Sequence, residues 1–75
     1  MPRLPVLSAR EIIKALRAAG FEPISQRGSH VKLRGVRGGK TRTIIVPAYS
    51  EVPRGVLSSI LSQAGLTRDE FLGFL

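Results

Sequence analysis

The spacing of apolar residues along this chain changes period twice, and that change confines the fold more than any other feature. Ile12, Ile13, Leu16 and Ala19 recur at helical spacing. Val31 and Leu33 then alternate with His30, Lys32 and Arg34, a β-branched run follows from Thr41 to Val46, and Val56, Leu57, Ile60, Leu61 and Ala64 return to helical spacing. A pattern of period 2 buries one face only as a strand, and a pattern of period 3.6 only as a helix. The expected class is therefore α+β, in the order α-β-β-β-α with a short C-terminal helix. The 75 residues leave room for one small domain spanning residues 1–75, with a surface site and not a cofactor-sized interior cavity.

The element boundaries carry their own chemistry. Ser8-Ala9-Arg10-Glu11 is a capping box, with Leu7 and Ile12 placed as its hydrophobic staple, and Gly20 supplies a left-handed stop. Thr67-Arg68-Asp69-Glu70 is a second box, stapled by Leu66 and Phe71. Between Phe21 and Val46 three antiparallel strands fit, with Ile24 in the first. Gly28-Ser29 forms the first turn, and Gly35 to Lys40 a looser, flexible, basic second loop. Pro47 ends the third strand, and Pro53 suits the first turn of the next helix, which Gly65 closes.

Charge narrows the function. Twelve Lys and Arg against five Asp and Glu give a net charge of +7, a field that attracts polyanions, with nucleic acid foremost. The absence of cysteine excludes disulfides and thiolate chemistry, and one histidine with five scattered carboxylates offers no ligand set for a metal. No nucleotide-cradling glycine motif and no Ser/His/Asp arrangement is visible. The leading segment Met1-Pro2-Arg3-Leu4-Pro5-Val6-Leu7 holds no apolar run, so neither a signal peptide nor a membrane span is expected, and the location is expected to be cytoplasmic. Arg10, Lys14 and Arg17 share one face of the first helix, either as a phosphate-facing stripe or as its ordinary wet side.

The informative stretch is Arg27-Gly28-Ser29-His30-Val31-Lys32. If Val31 and Leu33 pack inward, His30, Lys32 and Arg34 project from the opposite face. A histidine exchanges protons near neutrality, and RNA carries its own nucleophile in the 2′-hydroxyl. One base and a few cations then suffice for cleavage without metal or cofactor.

These residues resemble the HicA-type mRNA interferase toxins of prokaryotic toxin-antitoxin systems. The likeness runs through residues 8–16, the Gln26-Arg27-Gly28-Ser29-His30 turn and residues 60–66. It implies a fold like that of double-stranded RNA-binding domains (dsRBD-like), a three-stranded antiparallel sheet backed by two helices, with His30 catalytic in cutting single-stranded mRNA. In that scheme Arg27, Gly28, Ser29, Lys32 and Arg34 bind RNA, and a HicB-type antitoxin is the protein partner. The alternative is a non-catalytic RNA-binding module on the same scaffold. Many members of the family carry a histidine shortly after the Val-Pro that ends the third strand, where this chain has Val46-Pro47-Ala48-Tyr49. Tyr49 is thus a possible auxiliary group, as a hydrogen-bond donor or as a structural residue.

Overall fold

A computed structural model of the chain describes residues 3–75; Met1 and Pro2, the start of the leading segment read as carrying no signal peptide, lie outside them. The elements are α1 (Ala9–Ala18), β1 (Glu22–Arg27), β2 (His30–Arg37), β3 (Lys40–Pro47), α2 (Arg54–Ala64) and α3 (Arg68–Leu72). The strands form one antiparallel sheet in the order β1-β2-β3. The α+β class, the order of elements and the three-stranded sheet with its helices are those expected from the sequence.

Both capping boxes form. The Ser8 hydroxyl accepts the Glu11 amide at 3.2 Å while the Glu11 carboxylate accepts the Ser8 amide at 3.0 Å. Thr67 and Glu70 repeat the exchange at 3.1 and 2.9 Å. Each box satisfies helix-end donors that would otherwise lack a partner, which is why these short helices begin where they do.

Register sorts the two faces of the sheet. Val31 pairs with Val46 and Leu33 with Ile44. These four are buried in one cluster with Ile12, Ala15 and Leu16 of α1 and Leu57, Ile60, Leu61 and Ala64 of α2. Both helices therefore cover the same face. The alternate residues His30, Lys32 and Arg34 lie opposite Pro47, Ile45 and Thr43 on the other, open face.

The leading segment adds to this core. Leu4 and Leu7 are buried, the Val52 amide donates to the Leu7 carbonyl at 2.7 Å, and the Arg54 guanidinium donates to the Leu4 carbonyl at 2.6 Å. Phe21, fully buried, packs against the Cα of Gly35 so closely that a Cβ there would stand 2.6 Å from its ring. The glycine is thus required by close approach and not by its dihedral angles.

Several local expectations need correction. The second loop is neither long nor loose: β2 runs through Arg37, β3 starts at Lys40, and only Gly38 and Gly39 turn the chain. Both have positive φ, 62° and 74°, the pattern of a type I′ hairpin, whose twist matches that of the strands it joins. Pro53 stands at the N-cap of α2, one position before the first turn. Val56 is 36% exposed and does not join the buried face of α2. Ile24 lies in the first strand as expected, at a bulge where the β1–β2 register shifts between Pro23 and Ser25, and it is exposed, as is every residue of this edge strand.

Candidate active site

The β1–β2 hairpin delivers the only histidine to the start of a strand. Its two-residue turn has positive φ at Gly28 alone, 54°, the pattern of type II′, which asks for glycine at the first central position and accepts serine at the second. The Gln26 side-chain amide donates to the Gly28 carbonyl at 3.3 Å. From outside the hairpin, the Ala48 amide donates to the Ser29 carbonyl at 2.6 Å, so the turn is tied to the residue just beyond β3.

Arg27 and His30 are direct cross-strand partners on either side of this turn. Together with Ser25, Lys32 and Ile45 they line an open depression of about 490 Å3 on the free face of the sheet. All but Lys32 are exposed, and Lys32 is half-buried between its neighbours on β1 and β3. The structure thus brings Arg27, His30 and Lys32 together. A phosphodiester placed in the depression would meet two cations and an imidazole, with no carboxylate among the lining residues.

The remaining singled-out residues lie around this group. Gly28 and Ser29 form the turn beside it. Arg34 continues the same row, opposite Glu22 on one side and Thr43 on the other, outside the lining of the depression. Tyr49, 48% exposed, lines a different and larger groove between α1 and the ends of the sheet. Ser25 and Ile45 were not singled out from the sequence. Only the register of β1 and β3 against Lys32 places them there, and that pairing leaves no local mark.

No group of three His, Cys, Asp or Glu that could hold a metal ion occurs among the described residues, and none of the described helices is long and apolar enough to cross a membrane. Glu70 lies outside the lining of the depression. A hydrogen bond from the Thr67 amide and another from the Arg37 guanidinium hold the Glu70 carboxyl below the usual carboxylate range.

Fold and site together define a small α+β protein with one helix-covered sheet face and one open basic face bearing a single imidazole. Residues 9–66 match the family model of the HicA toxin of bacterial toxin-antitoxin systems. The chain belongs to that family, and its function is accordingly that of a toxin, with ribonuclease activity in general terms, paired with an antitoxin. A search of curated proteins gave no match.

Proposed function

We propose that this toxin is a metal-independent endoribonuclease that cuts single-stranded mRNA by attack of a ribose 2′-hydroxyl on the adjacent phosphorus, with His30 as general base. The observation that carries the proposal is the exposure of His30 beside Arg27 and Lys32 on the open sheet face. A ring nitrogen of His30 takes the 2′-hydroxyl proton, the 2′-oxygen bonds to phosphorus, and the bond from phosphorus to the 5′-oxygen breaks. The leaving oxygen takes a proton from water or from the Lys32 ammonium. Arg27 and Lys32 stabilise the charge that gathers on the non-bridging oxygens, a contribution that grows toward the transition state. Arg34, Gly28 and Ser29 bind the strand on either side. The products are a 2′,3′-cyclic phosphate and a 5′-hydroxyl.

The protein acts in the cytoplasm, where mRNA is found, and its antitoxin is of the HicB type. A partner that masks this face would present carboxylates toward Arg27 and Lys32.

The test is cleavage of an RNA oligonucleotide in EDTA with the ends of the fragments mapped. Wild type is expected to leave cyclic phosphates, and His30→Ala to lose about 10²- to 10⁴-fold in rate, the usual worth of a general base. Intact RNA with wild type overturns the proposal in favour of a non-catalytic RNA-binding module, and equal cleavage by the variant overturns the role of His30 as base.

A further inference from the structure

The groove that holds Tyr49 is larger than the depression that holds His30. It measures about 870 Å3 and runs between α1 and the closed end of the β1–β2 hairpin, with Arg10, Lys14, Arg17, Gln26 and Tyr49 along its walls. Ala9, Ile13, Val31 and Ala48 supply its apolar lining. Three cations and an aromatic ring line it, and no carboxylate does. Arg17 shares its charge with Glu22 at 3.8 Å, while Arg10 and Lys14 form no ion pair among the described residues.

We infer that this groove is a second RNA subsite, in which Arg10 and Lys14 follow the phosphates of the strand and Tyr49 stacks on one of its bases. The inference deepens the RNA-cleaving reading and rests on it for the class of ligand. Three features support a nucleic-acid strand as the occupant. Cations stand with apolar lining and one exposed aromatic side chain, the combination by which single strands are held without sequence readout. The lining of the groove also adjoins, along β1, that of the depression around His30. Gln26 lines the former and Arg27 the latter, on opposite faces of the same strand end. The span is short as well. Pro47 pairs directly with His30, and Tyr49 follows two residues later. Paired Cα atoms stand about 4.5–5.5 Å apart and two residues reach at most about 7 Å, so the Tyr49 backbone lies within roughly 12 Å of that of His30. A few nucleotides cover that distance. The tyrosine is itself anchored, since its carbonyl accepts the Ala9 amide at 2.9 Å and its amide donates to the Pro47 carbonyl at 2.8 Å. The row of cations along α1 is therefore one wall of a built groove, which a helical wheel of the sequence does not reveal.

The experiment measures binding with cleavage removed. A short fluorescent single-stranded oligonucleotide, 2′-O-methylated throughout so that no nucleophile is free, is titrated by anisotropy in EDTA at several salt concentrations. Arg10→Ser/Lys14→Ser is expected to lower the magnitude of the log-log salt slope by about 1.4, the share of two phosphates on a single strand. Tyr49→Ala is expected to weaken binding roughly 5- to 150-fold at fixed salt, with Tyr49→Phe restoring it, as loss and return of one stacked base would do. Lys40→Ser/Arg68→Ser removes the same charge outside the groove and serves as control. If it weakens binding as much as Arg10→Ser/Lys14→Ser does, or if the groove variants bind as wild type does, the subsite is refuted. Groove variants that keep their RNA affinity but lose the antitoxin refute it equally, in favour of a protein-binding groove. Cleavage of unmodified RNA is scored separately. Loss of oligonucleotide affinity in the groove variants together with an inactive wild type would sustain the subsite and dismiss the nuclease reading alone.

Discussion

Arg27 and His30 face each other across a two-residue turn, the last residue of β1 against the first of β2. A hairpin with register fixed by a type II′ turn holds two opposite side chains at a set separation, and β2 cannot slip without moving its buried alternate residues to the wrong face. Here the buried residues are Val31 and Leu33, so the core fixes which face the imidazole takes. The tie from Ala48 to Ser29 then fixes the turn against the end of β3.

Replacing Arg27 separates phosphate stabilisation from proton transfer. Arg27→Ala is expected to reduce the single-turnover rate about 10²-fold or more, as loss of one preorganised donor to a developing anion does. Arg27→Lys should recover part of that loss by keeping the charge without the planar fork. Thermal unfolding should move little, because the side chain is exposed. A fall in melting temperature matching the fall in rate would show a structural role instead.

Gly35 allows Phe21 to reach the sheet. In Gly35→Ala the added Cβ would meet the Phe21 ring at 2.6 Å and the Gly20 carbonyl oxygen at 2.8 Å, and a fully buried ring next to backbone has little room to yield. Overpacking of this kind costs about 1–3 kcal/mol. For a domain of this size that lowers Tm by roughly 4–24 °C. Calorimetry of the variant checks it, and an unchanged Tm would mean that the ring moves aside freely.

Glu70 links α3 to β2 through its carboxylate, bound by the Thr67 amide and by Arg37. Its folded pKa is depressed, so its contribution to stability is complete above the unfolded value of about 4.3 and is lost as pH falls through the folded value. Glu70→Gln is therefore expected to unfold at lower urea than wild type at pH 7, with the gap closing as pH falls below about 4. Urea midpoints at several pH values measure this. A gap independent of pH would assign the effect to packing.

Much of the fold can be read along the chain because its signals are local. A capping box lies within four residues, a hairpin turn within two, and the alternation that sets His30, Lys32 and Arg34 against Val31 and Leu33 follows from the period of a strand. Those features specified the element order, the α+β class and the exposed row that carries the imidazole. The second hairpin departs from its sequence expectation for a definable reason. Gly38-Gly39 can hold positive φ at both positions and make a tight turn, but the glycine at Gly35 and the lack of apolar alternation obscured where β2 stops. The contact of Gly35 with Phe21 accounts for that glycine, and a contact of this kind has no signature within β2.

By itself, then, the sequence determined the elements, their order and the face on which His30 stands, since each depends on neighbours a few residues apart. Tertiary structure alone decided that Ser25 and Ile45 complete the depression around His30. It also decided that Tyr49 sits in a separate groove with Arg10, Lys14 and Arg17 of α1. These groups are joined by strand register and by the docking of a helix on a sheet, which arise from the burial of one shared core and leave no spacing in the chain to be read.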